Sequence, residues 1–276
     1  MARTGVREIV LLTLGWEDIP RGISIEGAPE EQRMREPVPG VLLHVDGGWL
    51  LLDTGFNTAL LHDAALRARY HGNPMHKVIL PGPGEPLEEA LSHAGIAMEE
   101  VHAVGLSHLH LDHAGGLRHF TGRPVHCQRR ELEFGLTPEA EQHAIFRIDF
   151  DDPRHDWRLA DGDAEIAPGV TAVLTAGHTP GHQSFVIDLD DSVGGGGLVL
   201  AFDAADLAAE NIDQELPIGG RVHATPEECV EQVRRLKSLA AARGYPLIPG
   251  HDPYVWPALT REMAERFGRT PARRPT

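Results

Sequence analysis

The chain has 276 residues, enough to bury a large core in one domain or two intimate halves. Its 41% apolar and 24% charged content is that of an ordinary soluble globular protein, and no apolar run approaches the roughly 20 residues that span a bilayer. A formal charge of −16 would repel nucleic acid unless a local basic patch intervened. The dense basic stretches, Arg129-Arg130, Arg234-Arg235 and the tail ending Arg273-Arg274, read as solvated faces or a frayed terminus. The opening residues lack a signal-peptide apolar stretch, and Cys127 and Cys229 make no disulfide framework. The expected setting is a reducing cytoplasm, with no membrane or nucleic-acid partner.

In chain order, Arg7–Gly15 is a β-branched and leucine-rich run that predicts a buried strand. Residues 16–39, rich in proline, glycine and mixed charge, predict a long irregular surface loop. Val41–Val45 and Trp49–Asp53 flank Asp46-Gly47-Gly48, a hairpin signal. Helical spacing follows at 59–70 and at 87–100, the latter with Leu87, Leu91 and Ala94 on one side. Val101–Leu106 and Arg123–Gln128 predict strands, with a helix from about Arg130. Val170–Thr175, Ser184–Leu189 and Leu198–Phe202 predict three more. Thr225-Pro226-Glu227-Glu228 is a capping box with proline at the first helical position, opening a helix that stops at Gly244. Tyr245–Pro249 is a last strand. No short-period repeat and no low-complexity linker interrupts this order, which predicts an α/β fold: two β-sheets with helices on their outer faces, as one domain over 1–276, frayed from about 268.

The chemistry concentrates in residues 107–116, Ser-His-Leu-His-Leu-Asp-His-Ala-Gly-Gly. Imidazole nitrogen and carboxylate oxygen suit zinc and its neighbours, and His108, His110, Asp112 and His113 fall within six positions. His108 and His110, two apart, share one face of an extended segment. Asp112 and His113 follow after the chain turns and can point at an adjacent position, so one segment can begin two metal sites. A single histidine here would read as a solvated loop residue; four at this spacing do not. His178, Asp203 and His251 each sit at the end of an apolar strand beside a turn or glycine. Singly each is weak, His178 a loop residue and Asp203 a helix cap; together, downstream of the first cluster, they complete a candidate site. His182 reads as a packing or hydrogen-bonding neighbour, as do His102, His119, His126 and His223.

These stretches resemble the metallo-β-lactamase-fold hydrolases and, within them, the quorum-quenching N-acyl-homoserine lactonases. The resemblance is carried by Asp53-Thr54-Gly55, the 107–116 run, His178-Thr179-Pro180-Gly181-His182-Gln183-Ser184, Asp203-Ala204-Ala205 and Pro249-Gly250-His251-Asp252. It implies the metallo-β-lactamase αββα sandwich, two mixed sheets flanked by helices. It implies that His108, His110 and His178 hold one divalent ion, that Asp112, His113 and His251 hold a second, that Asp203 bridges them, and that Asp53 supports the ligands from behind. Zinc is the first expectation, with cobalt, manganese and iron also accepted by such ligands. The implied reaction is opening of a lactone ring by a hydroxide shared between the ions, with Asp112 as the catalytic group that passes a proton to the leaving oxygen. The expected partner is a small lactone or ester, and a homodimer is left open.

The chain departs from the lactonase pattern at one place. Lactonases of this type carry a tyrosine three residues after the bridging aspartate; here that position is Asp206, and 203–211 is one residue longer. The three tyrosines, Tyr70, Tyr245 and Tyr254, lie elsewhere in the sequence. Asp206 is accordingly the candidate substrate-binding residue, and a further carboxylate there would repel an anionic substrate. The alternative reading is a hydrolase of the same fold acting on another ester, a thioester (as glyoxalase II does) or an amide. A non-catalytic scaffold is disfavoured because none of the seven candidate ligands is missing.

Overall fold

The computed structural model describes residues 5–29, 31–70, 72, 76–80 and 84–269. One sheet has the order β4-β1-β2-β3-β5-β6-β7, built from β1 (Glu8–Pro20), β2 (Arg33–Val45), β3 (Gly48–Leu52), β4 (Lys77–Ile79), β5 (Val101–Gly105), β6 (Pro124–Gln128) and β7 (Asp156–Ala160). The other has the order β12-β11-β10-β9-β8, from β8 (Ala164–Ala167), β9 (Val170–Leu174), β10 (Gln183–Asp188), β11 (Gly197–Phe202) and β12 (Leu247–Pro249). Both are mixed: β1, β2 and β3 pair antiparallel while β3, β5, β6 and β7 pair parallel, and β11 pairs parallel with β12 alone. The helices are α1 (Thr58–His62), α2 (Ala64–Tyr70), α3 (Pro86–His93), α4 (Leu111–Ala114), α5 (Arg129–Gly135), α6 (Arg147–Phe150), α7 (Pro226–Arg243) and α8 (Val255–Arg266). Among the described residues no helix is long and apolar enough to cross a membrane.

Alternation along the strands sorts the apolar side chains into layers. Leu50 and Leu52 of β3, Leu43 of β2 and Leu11 of β1 face Phe185, Ile187 and Leu200 of the second sheet. Their neighbours Leu51, Leu42 and Leu12 point the other way, against Leu87 and Leu91 of α3 and Phe120. In the second sheet Val186 and Val199 turn outward to Val233, Leu236 and Ala240 of α7. Buried on both faces, each sheet needs a helical cover, and the αββα sandwich follows.

The expected loop over 16–39 is corrected. β1 runs on to Pro20 and β2 begins at Arg33, paired from Trp16↔Pro37 to Pro20↔Arg33. Glu17 and Glu36 hid this ladder: both are buried acidic side chains on positions where alternation predicts apolar residues. The helix expected at 59–70 is broken at Asp63, whose Oδ1 accepts the N–H groups of Ala65 and Leu66 at 2.9 Å and so caps α2. The helix expected to reach residue 100 ends at His93, where Gly95 turns the chain at φ +67°. The helix over α7, with its Thr225/Glu228 box and Gly244 at φ +67°, lies where expected. Short β4, β7 and β8 and the amphipathic α8, which buries Trp256, Leu259 and Met263, had not been expected. Residues 270–276 of the tail expected to fray, Arg273-Arg274 included, and residues 1–4 lie outside the described residues.

Candidate metal centre

Five chain segments that follow strand ends meet at one place. β3 runs into Asp53, β5 into the 107–113 segment, β9 into the turn carrying His178, β11 into Asp203, and β12 into Gly250-His251. Two of these exits are in the left-handed region without being glycine: Asp53 at φ 56° and Phe202 at φ 48°. Such residues cost on the order of 1–3 kcal/mol and persist only where surrounding contacts enforce them. For Asp53 the contacts are explicit. Its Oδ1 accepts the Ser107 backbone N–H at 2.7 Å, and its Oδ2 accepts the Ser107 hydroxyl and His113 Nδ1–H, each at 2.7 Å. Asp53 therefore holds the start and the end of the 107–113 segment at once. Burial pushes its carboxyl up, with His113 and Ser107 opposing.

The seven candidate ligands come together as two trios. His110 Nδ1 lies 2.9 Å from His108 Nε2 and 2.8 Å from His178 Nε2. Burial holds all three imidazoles below their ordinary pKa, so they present neutral lone pairs. One proton cannot bridge three nitrogens, whereas one tetrahedral cation at about 2.0–2.1 Å from each can. In the second trio His113 Nε2 lies 2.9 Å from Asp112 Oδ2, and His251 Nε2 lies 3.9 Å from that same oxygen. His113 Nε2 is buried and, among the described residues, makes no hydrogen bond despite its closeness to two carboxylates. Burial opposes charge on His113, yet Asp112, Asp203 and Asp53 raise its pKa well above the ordinary value. The pocket thus draws positive charge to this spot.

Asp203 stands between the trios with one oxygen toward each. Oδ2 lies 3.4 Å from His178 Nε2 and 3.9 Å from His108 Nε2, while Oδ1 lies 3.3 Å from His113 Nε2 and 3.2 Å from His251 Nε2. The outer ring nitrogens have partners of their own: His113 Nδ1 on Asp53, His251 Nδ1 on the Pro37 carbonyl at 2.9 Å, His178 Nδ1 on the Gly220 carbonyl, and His108 Nδ1 with Ser107 Oγ at 2.9 Å. Such contacts fix the tautomer and ring orientation that a ligand histidine needs. The donor set fits two divalent ions. His182 also lies in this cluster, but its Nε2 accepts the Asp203 N–H at 3.1 Å and its Nδ1 meets Thr175 Oγ1 at 2.8 Å. Its lone pair is taken, in line with the hydrogen-bonding role expected of it.

Glu131, at the start of α5, went unread in the sequence. It is fully buried and accepts the N–H of Leu109 at 3.0 Å and of Gly181 at 2.8 Å, tying the two loops that carry His108, His110 and His178. Its signal was an acid in a helix's first turn, which usually means only a favourable dipole contact. Asp206 lines the cavity of about 290 Å³ beside the trios and is buried. An oxygen of Asp206 lies within 4.8 Å of ligand atoms of Asp203 and His251.

The sandwich and its two clusters define a metallo-β-lactamase-type site. The model of the metallo-beta-lactamase superfamily matches residues 35–193, and the chain belongs to that superfamily. It is 32% identical to the N-acyl homoserine lactonase of Bacillus thuringiensis over 78% of this chain and 81% of that one. It is 30% identical to the N-acyl homoserine lactonase AttM of Agrobacterium fabrum over 80% and 83%. Among solved structures, an N-acyl homoserine lactone hydrolase with the product N-hexanoyl-L-homoserine at its catalytic metal centre superposes with a TM-score of 0.79. It is 26% identical, over 91% of this chain and 95% of that one.

Proposed function

We propose that this protein is a metal-dependent hydrolase that opens lactone rings, N-acyl-homoserine lactones foremost, at a dinuclear centre. One observation carries the reading: Asp203 offers a separate oxygen to each of two trios of imidazole and carboxylate donors. His108, His110 and His178 would hold one ion, Asp112, His113 and His251 the other, and Asp203 both, with zinc as the native metal. Bound there, the ions supply a water of lowered pKa and a Lewis acid for the carbonyl. The chain's own residues do the rest. Asp53, Ser107 and Glu131 hold the donors in place. Asp112, on the cavity wall, accepts the nucleophile's proton and returns it to the leaving alkoxide oxygen. A cytoplasmic setting belongs to this proposal and is supported by two buried free cysteines; the net charge of −16 speaks against a nucleic-acid substrate.

The test is to load the purified protein with zinc or cobalt, count the ions, and assay acyl-homoserine lactones with simple γ- and δ-lactones. Two ions per chain and turnover of a lactone are expected, lost with a chelator and restored by metal. The reading of the same fold as a hydrolase of another ester, a thioester or an amide is favoured by Asp206 standing where lactonases of this type carry tyrosine. Thioester or amide turnover without lactone turnover would decide for it.

A further inference from the structure

The cavity beside the trios is more acidic than the proposed reaction requires. Besides Asp112 and Asp203 it is lined by Glu17, Glu36 and Asp206, which are 5%, 3% and 4% exposed. Glu17 and Glu36 are register partners across the β1–β2 ladder, the placement in which like charges repel most directly. Glu17 is relieved by an ion pair with His76. Glu36 accepts the Ser24 hydroxyl at 3.3 Å, and the imidazole of His251 is the one cation-forming group that opposes the effect of its burial. Asp206 Oδ1 is buried with no hydrogen-bond partner among the described residues. The guanidinium of Arg221, also in the lining, is spent on Glu26 at 2.6 Å and on the carbonyls of Ile218 and Ala224. Burial pushes the carboxyls of Glu36 and Asp206 up, with His251 opposing, and a cation entering the cavity they line would favour their ionised forms.

We propose that Glu36 and Asp206 form a subsite for a cationic group on the substrate, a protonated amine or guanidinium held close to the scissile carbonyl. The inference rests on the hydrolase reading above and shifts its preferred substrate from neutral acyl-homoserine lactones to lactones that carry a cationic substituent. An Asp206 oxygen lies within 4.8 Å of ligand atoms of Asp203 and His251, so a cation held there would sit beside the residues proposed to hold the ions, which suits a lactone carrying its charge on a short substituent. A third metal ion is the rival occupant. Asp203 and His251 already turn their free atoms to the two trios, which leaves two carboxylates, too few donors for a firmly held ion.

The experiment compares α-(aminomethyl)-γ-butyrolactone with its neutral α-(hydroxymethyl) counterpart on metal-loaded protein at low ionic strength. The expected kcat/KM is about tenfold or more in favour of the amine, arising in KM, as for a charge-assisted hydrogen bond. The ratio falls toward one in Glu36→Gln and in Asp206→Asn. Calorimetric titration with the two matching lactams, which resist ring opening, should show the same preference without turnover. Turnover of the neutral lactone with no preference for the amine, in kinetics and titration alike, overturns the subsite and leaves the lactonase reading standing. A third equivalent of metal that disappears in Asp206→Asn also overturns it. Turnover of neither lactone removes the hydrolase reading and this inference with it.

Discussion

The backbone N–H of Asp203 donates to His182 Nε2 at 3.1 Å, so a histidine among the site's rings acts by placing the carboxylate between the trios. His182→Ala should therefore lower metal affinity or activity by about 10- to 100-fold, the usual effect of losing a residue that orients a ligand. Equilibrium metal binding, read alongside kcat, checks this. Full metal occupancy with unchanged kcat would show that Asp203 keeps its place without His182.

Asp112 faces the cavity and lies 2.9 Å from His113 Nε2. Burial opposes its ionisation, yet His113 and His251 hold its carboxyl below the ordinary range. Asp112→Asn keeps the volume and removes the proton acceptor. We expect the variant to fold, by circular dichroism, and to lose about 10²- to 10⁴-fold in kcat, the usual scale of general acid–base assistance. An unchanged rate would take Asp112 out of the reaction.

Asp149 lies outside the metal site. Its Oδ1 accepts the Asn57 amide at 2.8 Å, its Oδ2 has no partner among the described residues, and burial pushes its pKa from 3.8 to about 7. Between those values the folded state keeps a proton that the unfolded chain has lost, so this group's contribution to stability falls as pH rises from about 4 to about 7. A rise of about three pH units corresponds to at most about 4 kcal/mol. Asp149→Asn should flatten that slope, raising stability at pH 7.5 and leaving it nearly unchanged at pH 4, as measured by urea unfolding. An equal effect at both pH values would rule out the buried charge as the cause.

What could be read in advance was local. The hairpin at Asp46-Gly47, the box opening α7, and the His108–His113 run declare themselves within a few residues, because turn geometry, capping and ligand spacing are short-range properties. The far ladder of β1 and β2 could not, since Glu17 and Glu36 put acidic side chains where alternation calls for apolar ones. The edge strands β4 and β8, three and four residues long, carry too few residues to set a period. Glu131 was invisible for another reason: its role exists only once Leu109 and Gly181, far apart in sequence, are brought to it.

Each trio draws two members from the segment after β5 and one from the second sheet, His178 or His251, with Asp203 also from the latter. Neither half of the polypeptide, produced separately, would retain more than two donors of any trio. A cation captured at both positions therefore rivets the halves together across their seam. Its grip becomes a gauge of how well they have docked, so a lesion far from the cavity that loosens the inter-sheet layer should first be felt as leakage of metal.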